Sequence, residues 1–226
     1  GNYELLARVT DSLGIANSDA TTGELSVHLT PPLVPTVDLL TTNDPTPLLT
    51  GTAIVGPGES LSIVANGITF VPSDPHLTLA GPNWSLLIPA GNQFTVDGAY
   101  DIRASTADLA GNISFDATLN EFVYDTLPPN APTVDSLVTN DATPTLTGSA
   151  NLGGGETLTV ELDGTTYVPG DGHLTRTGAD WNLVVPNTNA IAEGTYEVVA
   201  LATDAAGNAT GDGTTNEVTV DTTPPV

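Results

Sequence analysis

Residues 157–168 read TLTVELDGTTYV. Leu158, Val160 and Leu162 alternate with Thr157, Thr159 and Glu161, a period of two that puts the apolar side chains on one face of a strand. Asp163-Gly164 then interrupts the run, and Asn66-Gly67 interrupts another. Such pairs between alternating segments are the strongest local signal for a two-residue hairpin, because both positions tolerate positive φ. Trp84, Leu86 and Ile88 alternate in the same way, as do Trp181, Leu183 and Val185, and Val218 with Val220. Tyr196, Val198, Ala200 and Ala202 line one face of a run whose other face carries Val199 and Leu201, which predicts a central strand. No capped amphipathic helix interrupts this pattern. The predicted core is Trp84, Leu86, Ile88, Tyr100 and Ile102, then Trp181, Leu183, Val185, Tyr196 and Val198.

Working outward, the chain repeats itself. Residues 31–53 (PPLVPTVDLLTTNDPTPLLTGTA) and 128–150 (PPNAPTVDSLVTNDATPTLTGSA) agree at 16 of 23 positions, at an offset of 97, which identifies a structural repeat. The match continues through Trp84 with Trp181. One residue is then lost, and Asp108–Asn112 matches Asp204–Asn208, Asn120-Glu121 matches Asn216-Glu217, and Asp125 matches Asp221. The first 31 residues fit the tail of the same template, with Tyr3-Glu4 on Tyr100-Asp101 and Glu24 on Glu121. That tail departs from it at Ile15, where the others have Asn112 and Asn208, and at His28, where they have Asp125 and Asp221.

The expected fold is all-β: tandem immunoglobulin-like antiparallel β-sandwich domains, about seven strands each, joined end to end by short Pro-rich linkers. Residues 1–31 are the C-terminal strands of a preceding repeat, and 32–127 and 128–226 are whole repeats. The chain reads as a segment of something larger.

Composition narrows the function. Among 226 residues, 27 are acidic and three basic (Arg8, Arg103 and Arg176), a formal charge of -24. Nucleic acid is excluded as a partner, since phosphate neutralisation needs cationic side chains. Anionic membrane surfaces repel such a chain, and no apolar run suffices for membrane insertion. With no cysteine, disulfides, thiolate metal sites and cysteine nucleophiles are excluded.

The series TPTLTGSA, GTTYVPG, WNLVVP, EGTYEVVALATDAAGN and NEVTVDTTPP resembles the bacterial immunoglobulin-like tandem repeats of giant secreted RTX-type surface adhesins. The resemblance implies the extender, or stalk, of a cell-surface protein. It implies calcium near the domain junctions, the neighbouring repeats as partners, and an adhesive target bound by a domain outside these residues.

The residues support calcium by a separate argument. Calcium takes six to eight oxygen ligands, and Asp and Asn concentrate at strand ends here. Three segments recur in register: the Asp108–Asn112 and Asp204–Asn208 loops, the strand-ending Asp125 and Asp221, and the domain-opening Asp38 and Asp135. In a sandwich entered at one pole and left at the other, the loop between the last two strands faces the preceding linker. Asp125, Asp135, Asp204 and Asn208 are expected to meet at one junction, and Asp38, Asp108 and Asn112 at the other, where His28 replaces the carboxylate. Asn43-Asp44, Asn140-Asp141, Asp97 and Glu193 are more distant candidates. The competing reading of Asp-x-x-x-Asn is a turn, since Asp and Asn bond their own backbone. No EF-hand loop is present.

Other chemistry is weaker. His76 and His173 stand beside Asp74 and Asp171 at equivalent repeat positions, but a hydrolytic triad also needs a positioned serine. Trp84 and Trp181 can stack on a sugar only if exposed, and their alternation predicts core. The sequence thus predicts a non-enzymatic stalk segment. The alternative is a polysaccharide- or ice-binding module, which requires an exposed aromatic or flat Thr-rich sheet face.

Overall fold

A computed structural model of the protein describes residues 1–225. Both hairpins form as predicted. Asp163 and Gly164 take φ values of 48° and 75°, and Asn66 and Gly67 take 49° and 75°, the left-handed pair of a type I′ turn. Around Asp163-Gly164, Thr157–Leu162 pairs with Thr165–Tyr167. On its other edge Thr157–Leu162 pairs with Val198–Thr203, with Val160 opposite Ala200. Val198–Thr203 also pairs with Ala209–Gly211. It is therefore an interior strand, as its two apolar faces require. A second sheet runs in the order Thr133–Val134, Thr145–Ser149, Asp180–Val184, Leu174–Thr177. A third joins Leu137–Thr139, Val218–Val220 and Gly194–Tyr196, the first two strands being parallel.

Leu146, Leu174, Trp181 and Leu183 meet Leu158, Val160, Leu162, Val198 and Ala200 in one buried core, closed by Val218 and Val220. The fold is an immunoglobulin-like β-sandwich. The same two four-stranded sheets recur earlier in the chain. One is Thr36–Val37, Leu48–Thr52, Asn83–Leu87 and Leu77–Ala80, and the other is Ile68–Phe70, Ser60–Ala65, Arg103–Ala107 and Ile113–Phe115. Among the described residues the only helical elements are single 3₁₀ turns, Ala90–Asn92 and Asn187–Asn189.

The chain divides into two compact units. One comprises Gly1–Leu40, Thr46–Phe94 and Ala99–Phe122, and the other Thr41–Pro45, Thr95–Gly98 and the chain from Val123 onward. Segments 41–45 and 95–98 thus belong with the second unit, although the sequence puts them in the first whole repeat. Residues 1–31 form two small ribbons, Asn2–Tyr3 with Leu25–Ser26 and Arg8–Thr10 with Ala16–Ser18. Leu5, Leu6, Val9, Leu13 and Ile15 are exposed on them.

The strands are more numerous and shorter than predicted, for a physical reason. In the second unit one chain direction carries Gly194–Tyr196, paired with Val218–Val220, and then Val198–Thr203, paired with Thr157–Leu162. A single run of sequence serves two sheets and breaks between them.

The tryptophans are core. Trp84 and Trp181 are each 1% exposed. Their indole Nε1–H groups donate to the carbonyls of Thr36 and Thr133, both at 3.0 Å. Each ring lies on a glycine of the facing strand, Gly51 and Gly148, where a Cβ would run into the ring and into the same carbonyl. Tyr100 and Tyr196 are only partly buried, and the Tyr196 hydroxyl donates to Ala192 O at 3.0 Å.

Gly148→Ala should destabilise the protein by ~1–3 kcal/mol, the usual penalty for overpacking. Urea unfolding followed by tryptophan fluorescence measures it, and a midpoint equal to wild type would contradict this packing.

Candidate functional site

The two Asp-x-x-x-Asn loops are built alike. Asp204 Oδ1 accepts the N–H groups of Ala206 and Asn208 at 2.9 and 2.8 Å. Asp108 Oδ1 accepts those of Ala110 and Asn112, both at 2.9 Å. The acid therefore shapes its own turn. The asparagine then reaches outward. Asn208 Nδ2 donates to Asp204 Oδ2 at 2.9 Å and to the backbone carbonyl of Asp125 at 2.8 Å. Asn112 Nδ2 donates to Asp108 Oδ2 at 2.8 Å and to the carbonyl of His28 at 2.9 Å. In both cases the loop clasps the residue that ends the preceding repeat.

The second clasp has further parts. Asn43 Nδ2 donates to Asn208 Oδ1 at 2.9 Å, and the Asn43 N–H to Ala206 O at 3.1 Å. Asp97 accepts both the N–H and the hydroxyl of Thr126, at 3.1 and 2.9 Å. In the first clasp, His28 Nδ1 lies 2.8 Å from Asp108 Oδ2. The hydrogen bond from Asn112 foremost, with the His28 contact and loop N–H groups, holds the Asp108 carboxyl down at about 2. Asp204 is likewise lowered: burial opposes this, but Asn208 and the loop N–H groups outweigh it.

The other predicted ligands are disposed as follows. Asp125 Oδ1 accepts the Leu127 N–H at 3.0 Å, and Asp221 Oδ1 the Thr223 N–H at 3.0 Å. Asp38 and Asp135 turn to their own sheets, where each accepts a hydroxyl at 2.7 Å, from Thr50 and Thr147. The structure thus brings together Asp125 (through its carbonyl), Asp204 and Asn208, and separately His28, Asp108 and Asn112. It joins neither Asp38 nor Asp135 to these loops by a hydrogen bond. Asp171 accepts the N–H groups of Val168, His173 and Leu174, so it closes a turn and does not orient the His173 ring.

The sequence reading missed a set of acids at the strand break. Among the described residues, one group of three carboxylates has ligand oxygens all within 4.8 Å of one another: Glu4, Asp19 and Glu24. Its counterparts are Asp101, Asp116 and Glu121, then Glu197, Asp212 and Glu217. The signal was present: DATTGE at 19–24 returns as DATLNE at 116–121 and DGTTNE at 212–217.

The backbone bonds are the same in all three copies. Asp19 Oδ2 accepts Ala7 N–H at 2.7 Å, Asp116 accepts Ala104 N–H at 2.9 Å, and Asp212 accepts Ala200 N–H at 2.8 Å. The glutamate Oε2 accepts the N–H of Leu5, Ile102 or Val198, at 3.1, 3.1 and 3.0 Å. Glu121 is 1% and Glu217 4% exposed. Burial, then the charges of Glu121 and Asp116, pushes the Asp101 carboxyl up. Burial also works against ionised Glu121, but the Thr118 hydroxyl and backbone N–H groups outweigh it and hold that carboxyl below its ordinary value.

Comparison with known proteins agrees with the fold. Residues 132–222 match the bacterial Ig-like domain family. No curated protein matches significantly. Similar solved structures include a 1.5-MDa bacterial ice-binding adhesin, at 21% identity over 95% of this chain and 73% of that one, with a TM-score of 0.40. They also include a chimeric titin Z1Z2 tandem, at 15% identity over 83% and 99%, with a TM-score of 0.33. A mixed-linkage glucan-binding protein from Bacteroides ovatus is 18% identical over 98% and 53%, with a TM-score of 0.29. None of these three likenesses bears on what this chain does.

Asp108 predicts an acid limb of stability. Its folded pKa of about 2 lies below the ordinary 3.8, so its contribution is complete above 3.8 and lost as pH falls from there through 2. In chelator, wild type should therefore lose more stability between those pH values than Asp108→Asn, as denaturant midpoints at each pH would reveal. Parallel curves would contradict it.

Proposed function

We propose that the chain is a stalk segment of a large, secreted bacterial cell-surface adhesin, with a mechanical and non-enzymatic role. Its immediate partners are neighbouring repeats of the same chain, and the adhesive target is bound elsewhere. The observation that carries this reading is the repeated clasp: Asn208 on the Asp125 carbonyl and Asn112 on that of His28. A stalk works if every joint is held by the same local parts, because each repeat must transmit load to the next. The match of residues 132–222 to a bacterial Ig-like domain supports the assignment. Burial of both tryptophans leaves neither ring free to stack on a sugar.

Calcium completes the proposal. Asp125 and Asp204 supply carboxylates beside one clasp, Asp108 beside the other, and Asp221 would serve a following repeat. Hard, anionic oxygen donors of this kind suit calcium, and the ion would stiffen the linker by neutralising charges that otherwise repel. At the first clasp the His28 imidazole already occupies Asp108, so that joint would bind calcium more weakly.

Calcium should raise the melting temperature and lengthen the small-angle scattering profile relative to chelator, and Asp125→Ala with Asp204→Ala should blunt both effects. Asn208→Ala should cost ~0.5–1.5 kcal/mol even in chelator, because it removes the hydrogen bonds to the half-buried Asp125 carbonyl and Asp204 carboxylate. Superimposable melts and profiles with and without calcium would sink the calcium part, and an unchanged Asn208→Ala the clasp.

A further inference from the structure

Arg176 is the only lysine or arginine among residues 123–226, and it stands where the repeat elsewhere has an apolar side chain. It lies opposite Trp181 in the edge strand Leu174–Thr177, as Leu79 lies opposite Trp84 in the first whole repeat. Its side chain is partly buried. Nη2 donates to the carbonyls of Ala150 and Gly178 at 3.0 and 3.2 Å, which fixes the guanidinium. Those two bonds are its plain structural use, and they leave Nε–H over. That donor is buried and has no hydrogen-bond partner. Although the chain carries 27 acids, Arg176 makes no ion pair among the described residues. A buried, unpaired donor on a charged group is costly, and the leucine of the sister repeat avoids that cost.

Arg176 also lines an open cavity of about 460 Å³, together with Leu152, Leu158, Val168, Pro169 and Glu156. Apolar walls with a few polar groups at this size are typical of small-molecule sites. The walls recur in the first whole repeat as Val55, Leu61, Val71, Pro72 and Glu59, so they belong to the repeat. Glu156 has a structural use in both copies: its Oε2 accepts the Gly153 N–H at 2.7 Å, as Glu59 accepts that of Gly56 at 2.8 Å. The cation is particular to the second repeat.

We propose that this cavity binds a small carboxylate that carries an apolar body. The carboxylate takes the Nε–H of Arg176 in a charge-assisted hydrogen bond, and the apolar body covers Leu152, Leu158 and Val168. The Ala150 and Gly178 carbonyls already hold the guanidinium, so binding orders little that is free beforehand. The charge of -24 disfavours anions at a distance, but salt screens it beyond ~10 Å, and within the cavity the nearest charges are Arg176 and Glu156. Glu156 opposes a second negative charge. The fitting ligand is therefore a monoanion, and a bare dianion such as phosphate meets Glu156 without gaining the apolar contacts.

None of these residues takes part in the clasps, so the site stands or falls separately from the stalk reading. The test titrates the whole isotope-labelled chain with phenylbutyrate in chelator. Heteronuclear NMR follows the Arg176 Nε–H and the Leu158 and Val168 amides, and calorimetry gives the Kd. Saturable shifts of these three signals are expected. Phenylbutanol, with the same apolar body and no charge, should bind about tenfold more weakly, the loss of one charge-assisted hydrogen bond. Arg176→Leu restores the side chain found in the first whole repeat, so it should melt at or above wild type and bind the acid no better than the alcohol. Glu156→Gln keeps an acceptor for the Gly153 N–H and removes the opposing charge, so it should tighten phenylbutyrate and leave phenylbutanol unchanged. Absence of saturable shifts at the cavity signals would overturn the proposal, as would equal affinity of wild type for acid and alcohol. So would wild-type affinity for phenylbutyrate in Arg176→Leu, or weaker binding of it in Glu156→Gln.

Discussion

A strand that passes from one sheet to another must find new acceptors for its N–H groups, and the rest of this fold is arranged around that requirement. Tyr196 closes its pairing with Val218, and two residues later Val198 stands opposite Leu162 in a different sheet. On the edge away from Thr157–Leu162, the Val198 and Ala200 N–H groups lie beyond the pairing with Ala209–Gly211, which takes only Leu201–Thr203. Buried donors of this kind are almost never left unsatisfied. Glu217 and Asp212 reach in and take them. The crossing lets one run of sequence bind the sandwich together, and acidic side chains make it possible.

That solution concentrates charge. A carboxylate accepts a backbone N–H well, but it brings a second oxygen and a full negative charge into the protein. At Glu121 and Glu217 the second oxygen has nothing to bind. The acidity of the chain is therefore organised. Part of it shapes turns at the loop acids Asp108, Asp171 and Asp204, where N–H groups satisfy each carboxylate. Part of it terminates strand ladders, where satisfaction is incomplete.

The clasps show how a turn acquires a wider role. Asp204 alone would make the Asp204–Asn208 loop, through N–H groups of its own backbone. Asn208 adds a single outward hydrogen bond to the Asp125 carbonyl, and that bond ties the loop to the linker. The first clasp keeps the same bond to His28 despite losing the linker carboxylate. A backbone carbonyl is supplied by any residue, so the clasp tolerates the substitution while the carboxylate chemistry there does not.

By itself the sequence determined the strands, the type I′ hairpins, the tryptophan cores and the repeat. Each of these follows from local periodicity or turn chemistry, which acts over a few residues. It also carried the acids at fixed spacing, but not their surroundings. Asp38 and Asp135 look as available for a junction as Asp125 does, and only the tertiary structure turns them to Thr50 and Thr147. Glu121 and Glu217 look like exposed acids next to a turn, and only the tertiary packing buries them. The physical reason is that burial and partner choice depend on residues far apart in the chain, such as Ile102 with Glu121, whereas a strand's period is written in its own side chains.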